Sequence, residues 1–275
     1  MTAPGTRRTD AVELAGGYAK SHRIYEIGGM LVAIALDGVL AYRLAVSPFL
    51  SGWLVPLALF MGMVTADFIS GFLHWLFDSW GSTTTPIVGQ LAIRTFREHH
   101  VDQKSITRHD YIETNGHNFG VSIPFGITGI YLASPQFGVW GTFIAMYMLS
   151  CAFGGAMTSQ SHKWAHMDSP PTVVRWLQRA RLLITPEHHA KHHTAPYDRN
   201  YCIIVGWLNG PLRAIRFFET LERMITAVTG AIPREDDIGK ENAIAVLEAE
   251  PIDSAPPGPI AVPVPARVAH VSAKD

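Results

Sequence analysis

Four apolar segments constrain the fold of this chain of 275 residues more than any other feature of its sequence. They run from about 24 to 46, 53 to 77, 119 to 133 and 137 to 157. All but the third reach the roughly 20 residues that a helix needs to cross a bilayer. In lipid, only helices and closed barrels satisfy their own backbone hydrogen bonds. Charged residues make up only 16% of the chain, well below the roughly 25% of soluble domains. The sequence therefore predicts an all-α integral membrane bundle with about four hydrophobic segments.

The two ends of the chain differ in composition from this apolar centre. Residues 1–23 are polar and basic, and residues 234–275 are rich in Asp, Glu, Ala and Pro. Segments with too few apolar residues to bury do not fold on their own. We therefore expect a polar N-terminal segment at 1–23, a membrane-embedded domain at 24–233 and a disordered, Pro- and Ala-rich tail at 234–275.

The distribution of basic residues predicts the orientation of the bundle. Basic side chains precede the first apolar segment, among them Arg7, Arg8, Lys20 and His22. The following connection, 46–52, carries none, so the positive-inside rule places the N-terminus in the cytoplasm. Residues 78–118 and 159–275 then lie on the cytoplasmic side as well. We expect an integral protein of the bacterial inner membrane with its active site facing the cytoplasm.

Two further segments, 172–184 and 212–228, have the pattern of amphipathic helices that lie in the membrane interface. In the first, apolar residues such as Val173 and Trp176 fall on one side of a helix, and arginines fall elsewhere. A soluble helix packed on a cytosolic core shows the same pattern, so both interpretations stay open.

Thirteen histidines are the outlier of the composition, and most of them are clustered. The densest group, at 188–193, places four imidazoles in six residues. In a helical turn His188 and His192 share a face, as do His189 and His193. Two imidazoles on one face can bind one metal ion, and their neighbours can bind a second. The alternative is a surface histidine tract that binds metal adventitiously.

Other histidines repeat this pattern at the ends of the apolar segments. These are His99, His100, His109, His162 and His166. The pair at 162 and 166 is spaced i, i+4, although two interfacial histidines without a metal would look the same. His74 lies inside the second apolar segment, where a polar side chain is costly and usually functional.

Asp67, Gly71, His74 and Asp78 share one face of a helix in the second apolar segment. Carboxylates beside a histidine favour a metal ligand whose ring is held in place by its neighbours. A polar contact between two membrane helices is the alternative.

The number of histidines favours iron over zinc. A zinc site takes three or four ligands, and the HExxH motif of zinc hydrolases is absent from the sequence. Imidazole suits several metals, but ten candidates divide naturally between two octahedral ions, which indicates iron. Haem would need only one or two axial ligands. A di-iron centre at the ends of membrane helices can activate dioxygen and attack an unactivated C–H bond of a lipid chain. The net charge of -1 disfavours a nucleic-acid partner.

The motifs around these residues resemble the Kua/CarF family, whose members include plasmanylethanolamine desaturase and a plastid desaturase acting on phosphatidylglycerol. The motifs are ADFISG with HW at 66–75, FREHHVD at 96–102, ITRHDYIETNG at 106–116, QSHKWAH at 160–166, HHAKHH at 188–193, and YCI with GWLN at 201–209. The resemblance runs from about Met61 to Asp237.

This resemblance implies a lipid desaturase with a histidine-bound di-iron cap. It would use dioxygen and electrons from a separate electron-transfer protein. In the plasmanylethanolamine branch, the product is the vinyl ether of a plasmalogen. Carried over by position, the metal set is His74, His99, His100, His109, His162, His166, His188, His189, His192 and His193. Ten exceeds what two irons use, and His109 and His188 are the ones we expect not to bind iron directly.

A second set of residues is expected to orient the ligating rings: Asp67, Asp78, Asp102, Asp110, Glu113, Asn115 and His117. His117 departs from the family pattern, which has an aspartate there in the animal enzymes. It is an extra ligand, a ring-orienting group or a neutral change.

Several functions stay open. The substrate is an ether phospholipid or, alternatively, an acyl chain of another phospholipid such as phosphatidylglycerol. A lipid hydroxylase with the same di-iron site differs only in its product, which gains one oxygen where a desaturase removes two hydrogens. A membrane metal carrier would instead need ligands along its spans, and only His74 lies within one.

Overall fold

The computed structural model describes residues 20–249 except 87 and 195, and no β-strand occurs among them. The helices in chain order are α1 (Lys20–Ala45), α2 (Leu54–Ser79), α3 (Arg94–Val101), α4 (Ser105–Arg108), α5 (Tyr111–Leu132), α6 (Gly138–His166), α7 (Thr172–Arg179), α8 (Pro186–Ala190), α9 (Asn209–Ala214), α10 (Phe217–Thr229), α11 (Glu235–Ile238) and α12 (Lys240–Glu248). A π-helix, Gly89–Ile93, precedes α3, and a 3-10 turn, Pro135–Phe137, precedes α6.

The prediction of an all-α membrane bundle is confirmed. The predicted number of about four hydrophobic segments was approximate. Three helical stretches of the described chain are long and apolar enough to cross a bilayer: α1, α2 and Pro135–His166. The short third apolar run lies in α5, which packs against α1 and α6. The first two turns of α5 carry polar residues such as Glu113 and Asn118, and these lower its mean hydropathy.

Small residues let α2 and α6 approach closely. A Cβ atom on Gly62 would collide with Ser150, and one on Gly154 would collide with Ala66. Ser150 also donates a hydrogen bond of 2.7 Å to the carbonyl of Leu59. Small residues and hydroxyl groups are the usual means of helix association in lipid, where burial of apolar surface gives little driving force. This contact fixes the C-terminal ends of α2 and α6 side by side.

Those two ends lie at the same end of the bundle as the start of α5. The Asn115 side chain near the start of α5 donates to Gln160 near the end of α6. Arg23 of α1 pairs with Asp110, which caps α5, at 2.7 Å. The histidines of α2 and α6 therefore share one end of the bundle.

The expected tail boundary at 234 is wrong, because residues 234–249 belong to the folded part. The Arg234 side chain is 1% exposed and pairs with Glu222. Asp236 pairs with Arg97, and Asp237 with His100. The charges that suggested disorder are thus used in ion pairs. Residues 1–19 and 250–275 of the two predicted terminal segments lie outside the described residues, and residues 20–23 are helical.

The two predicted interfacial helices are shorter than expected. The first ends at Arg179, because Arg181 adopts a left-handed backbone conformation with φ of 58°. The second is divided into α9 and α10 by Arg216, whose φ is 56°. On α7, Val173 and Trp176 are 64% and 65% exposed, as an amphipathic helix at a membrane interface requires.

Candidate metal centre

Eight histidine side chains meet at this end of the bundle, in two adjoining groups. The first group is His99, His162, His166, His189 and His193, and the second is His74, His99, His100 and His192. Within each group the potential ligand atoms all lie within 4.8 Å of one another. His99 belongs to both groups, so the two groups adjoin at this residue. They come from α2, α3, α6, and α8 with the turn that follows it.

The ring nitrogens of the first group point at one another. The Nε2 atom of His189 lies 2.9 Å from that of His166 and 2.9 Å from that of His193. The Nε2 atom of His166 is 3.1 Å from those of His162 and His193. Two nitrogens bound at right angles to one ion, each about 2.1 Å away, are separated by about 3.0 Å. A hydrogen bond between two rings needs a hydrogen on one of the two nitrogens, so such bonds could satisfy only some of these close Nε2 contacts. One cation can accept the lone pairs of all four Nε2 atoms. This donor set therefore fits a metal ion.

A buried carboxylate, Asp78, lies against the imidazoles of the second group. Oδ2 of Asp78 lies 3.2 Å from Nε2 of His74, 3.3 Å from Nε2 of His192 and 3.6 Å from Nε2 of His100. Asp78 is fully buried, and neither of its oxygens has a hydrogen-bond partner. A buried, unsatisfied carboxylate is costly. Because it faces the nitrogens that point to the centre, Asp78 is placed as an oxygen donor beside the imidazole nitrogens and not behind a ring.

Backbone carbonyls hold two of these rings from behind. Nδ1 of His74 lies 3.0 Å from the carbonyl of Tyr201, and Nδ1 of His192 lies 2.9 Å from the carbonyl of Arg199. A carbonyl can only accept, so each Nδ1 carries the hydrogen and each Nε2 directs its lone pair into the centre. Asp237 performs the same role for His100, at 3.0 Å.

Burial keeps most of the rings outside the membrane helices neutral. It lowers the pKa of His99 and of His189 well below the usual value, and neighbouring histidines lower both pKa values further. Burial and then His192 likewise lower the pKa of His193. The pKa of His100 is raised, because Asp78 and Asp237 outweigh the effect of its burial. Neutral imidazole is the form that binds metal.

Asp67 shapes the centre indirectly, since it contacts backbone and not a ring. Its Oδ1 atom accepts hydrogen bonds from the amides of Ile204, Val205 and Gly206 at 3.0–3.2 Å. This fully buried carboxylate therefore holds the segment 201–208 against α2, and the carbonyl of Tyr201 in that segment orients His74.

Two of the ten predicted histidines lie outside both groups. Nε2 of His109 is 3.4 Å from Glu98 and 3.8 Å from Glu113. The Asn209 side chain donates to Nε2 of His188 at 3.0 Å. These contacts occupy the nitrogens that a metal would need.

The remaining residues of the expected orienting set contact other parts of the bundle. Asp102 pairs with Arg108, Asp110 with Arg23, Asn115 with Gln160, and His117 lies 3.4 Å from the hydroxyl of Ser159. The pKa of Asp110 is lowered, first by the amide of Glu113 and then by Arg23.

Sequence reasoning missed three orienting groups: Asp237 and the carbonyls of Tyr201 and Arg199. The carbonyls leave no trace in a side-chain pattern. Asp237 did leave a signal in the sequence, because the family resemblance extends as far as this residue. The composition of the segment nevertheless assigned it to the tail. Arg97 was missed as well, and it donates to the carbonyl of Asp78 at 2.7 Å.

A cavity of about 270 Å³ lies between α1, α2, α5 and α6 and reaches His162. Its end near the histidines is lined by polar side chains, including Glu26 and Glu113. Farther along the helices it is lined by apolar ones, including Phe125 and Cys151. This gradient suits a molecule with a polar head and an apolar chain.

The chain is similar to known proteins over most of its length. Residues 63–236 match the family model of the lipid desaturase domain. The chain is 48% identical over 250 residues to the plasmanylethanolamine desaturase of Myxococcus xanthus, and the aligned region covers 91% of this chain and 88% of that protein. It is 38% identical over 247 residues to plasmanylethanolamine desaturase 1 of Mus musculus, covering 85% and 88%. It is 32% identical over 222 residues to the chloroplastic fatty acid desaturase 4 of Arabidopsis thaliana, covering 78% and 64%. No solved structure matches the chain.

Proposed function

The chain belongs to the lipid desaturase family and is a membrane oxidoreductase, and from this premise we propose that it forms the vinyl-ether double bond of plasmalogens. The substrate is plasmanylethanolamine, and one hydrogen leaves each of the first two carbons of its ether-linked alkyl chain. Dioxygen takes up these two hydrogens with two electrons and two protons, and two water molecules form. The relatives from Myxococcus xanthus and Mus musculus, whose names state this activity, support the proposal.

We assign two iron ions to the two histidine groups, with Asp78 as an oxygen ligand of the second. When bound, the irons supply dioxygen activation and the oxidising power that an unactivated C–H bond requires. The carbonyls behind His74 and His192 keep those rings in the ligating tautomer. Asp237 does the same for His100, and burial keeps His99 and His189 unprotonated.

The cavity positions the substrate. Its apolar part encloses the alkyl chain and excludes water, and its polar end receives the head group. The first carbons of the alkyl chain adjoin the head group, so they fall where the cavity meets His162. A bond near the middle of a long chain would lie deeper among the helices, away from the histidines. The polar end of the cavity beside His162 is the observation that supports the vinyl-ether position.

Two other functions share the same site. The Arabidopsis relative is named a fatty acid desaturase, which supports an acyl chain as the alternative substrate. A lipid hydroxylase would need the same irons and the same cavity. The hydroxylase product differs in mass, and the product of acyl-chain desaturation differs from a vinyl ether in its stability to acid and in the chain that loses two hydrogens.

Lipid mass spectrometry on cells with and without the intact gene, fed an ether-lipid precursor, tests the proposal. We expect acid-labile vinyl ethers only with the intact gene. A two-hydrogen deficit confined to acyl chains would transfer the proposal to an acyl-chain desaturase, and a gain of one oxygen would transfer it to a hydroxylase.

Substitution of ligands tests the site. His162→Ala and His192→Ala should each abolish product and lower the iron content of the purified protein, while both variants still insert in the membrane. His109→Ala, outside both groups, is the control and should retain its iron. Retained turnover in both ligand variants would refute the assignment.

We also propose that the histidine end of the bundle faces the cytoplasm of a bacterial cell. Lys20 and His22, the basic residues in the first turn of α1 at the same end, support this orientation. Reporter fusions at residue 249 and in the 46–52 connection should report opposite sides of the membrane, the first cytoplasmic.

A further inference from the structure

A groove of about 880 Å³ lies on the other side of the metal centre, along α7, α8 and the segment before α9. Four cationic side chains line it: Arg175, Arg179, Arg181 and Lys191. None of them forms an ion pair with another residue of the described chain; Arg175 contacts a hydroxyl, and Arg179 lies over the ring of Trp176. Of the two carboxylates in the lining, Asp168 is already paired with Lys104, which leaves Glu187. The groove is therefore strongly positive.

The groove also touches the metal centre. His188 forms part of its wall, and the next residue, His189, belongs to the first histidine group. The ring of His188 is fixed by the Asn209 amide at 3.0 Å, and its own amide donates to Thr185. A molecule in the groove thus lies one residue from a metal ligand. The lipid cavity approaches the centre through His162, from between the membrane helices, so both sites can be filled together.

We propose that this groove is the docking surface for the acidic face of a separate one-electron carrier protein. The proposal rests on the proposed function, because each desaturation consumes two electrons. Two reduced carriers, docking in turn, each give up one electron and leave oxidised. Electrons then enter the centre on the His188–His189 side.

The shape and position of the cations favour a protein over the membrane as the occupant. Lipid head groups present a broad surface, whereas these cations line a concavity. On α7, the exposed apolar residue Val173 lies on a different face from Arg175 and Arg179, and the ring of Trp176 lies between the two faces, against Arg179. That apolar face can meet the interface while the arginines remain in the groove. Opposite charges across an interface of this kind mainly raise the rate of encounter.

Charge reversal tests the docking surface. The variant is Arg175→Glu with Arg179→Glu, and Arg223→Glu with Lys240→Glu reverses two exposed cations outside the groove as a matched control. Vinyl-ether formation is measured in membranes of the source cells, which contain the native carriers, driven first by NADH and then by dithionite with methyl viologen. We expect the NADH-driven rate of the groove variant to fall about tenfold, as steering charges are lost. The dithionite-driven rate and the control variant should stay at the wild-type level.

Salt and lipid composition complete the test. The difference between wild type and groove variant should shrink at high salt, since the Debye length falls from about 10 Å at 0.1 M to about 3 Å at 1 M. Equal NADH-driven rates at low salt would overturn the proposal, as would a parallel loss with both reductants. A defect that appears only in vesicles rich in phosphatidylglycerol would assign the groove to lipid head groups and also overturn it. Wild-type protein inactive with either reductant would refute the proposed vinyl-ether function, and the docking proposal with it.

Discussion

The ion pair between Arg234 and Glu222 offers a sharp test of how the C-terminal segment supports the metal centre. Both side chains are buried, and the two contacts between them measure 2.6 and 2.8 Å. Glu222 also accepts a hydrogen bond of 2.8 Å from the indole of Trp75, the neighbour of His74. The pKa of Arg234 is raised, because Tyr201 and Glu222 outweigh its burial. We expect Arg234→Met to leave the Glu222 carboxylate buried and uncompensated beneath the second histidine group.

The magnitude follows from the burial of the pair. Removing one partner of a buried ion pair costs about 3–5 kcal/mol, whereas replacing both partners with uncharged groups is often nearly neutral. Arg234→Met should therefore lower the free energy of unfolding by that amount. The double variant Arg234→Met with Glu222→Gln should recover most of it, because the glutamine oxygen still accepts from Trp75. Glu219→Gln, which breaks the exposed pair with Arg216, should cost about 0–1 kcal/mol.

The measurement is denaturant unfolding of the purified proteins in detergent, followed by tryptophan fluorescence, with iron content determined in parallel. We expect Arg234→Met to unfold at lower denaturant and to lose iron, and the double variant to regain both. Two results would refute the reasoning. One is a cost for Arg234→Met no larger than that of Glu219→Gln, and the other is a double variant as unstable as the single one.

Further predictions concern the cavity, the chain end, the anchoring carboxylate and pH. Gly155→Leu should fill the cavity without strain, because a Cβ there meets nothing within 4 Å. The amount of product should fall about a hundredfold, since a displacement of the reacting atoms by about 1 Å lowers the rate by that factor. The control is Gly38→Leu, on the outer side of α1, which should leave the amount of product unchanged. Truncation after residue 249 should leave activity intact, whereas truncation after 233 should abolish it. Asp67→Ala should lower the thermal midpoint and the iron content, because each buried amide left without an acceptor costs about 1–3 kcal/mol. Three buried histidines outside the membrane helices, His99, His189 and His193, have lowered pKa values in the folded protein. Below about pH 6.5 the unfolded chain therefore binds more protons, so the iron-free protein should lose up to about 1.4 kcal/mol of stability per pH unit for each such histidine. A thermal midpoint equal at pH 7.5 and 5.5 would contradict this.

The sequence was sufficient to predict the membrane helices and the histidine clusters, because both depend on local patterns. Apolar length indicates a span, and a histidine inside an apolar run is costly enough to indicate function. The ends of the amphipathic helices could not be predicted in this way. Arg181 and Arg216 adopt left-handed backbone conformations that are usually adopted by glycine, and an arginine carries no signal for them.

The tail boundary failed for a different reason. Composition indicates whether a segment has apolar surface to bury, and the segment from Arg234 to Asp237 has almost no apolar surface. It folds because its charges meet opposite charges supplied by Glu222, Arg97 and His100. The pairs with Arg97 and His100 link residues more than a hundred positions apart, so no local pattern contains them. An acidic run after the last helix was therefore assigned to a disordered tail, although its last residue orients a histidine of the centre.

On the proposed function, one metal centre reacts with a lipid and also receives electrons from a donor. The arrangement of its ligands explains how it can do both. His74 and His162 come from helices inside the bundle, and His162 is where the centre meets the apolar cavity. His189 comes from a short helix outside the bundle, next to the positive groove. His99 belongs to both groups and joins the two sides. On the two proposals, hydrogen atoms leave the substrate on the membrane side, and electrons arrive on the side of the positive groove. The substrate need not leave the bilayer, and the electron donor need not enter it.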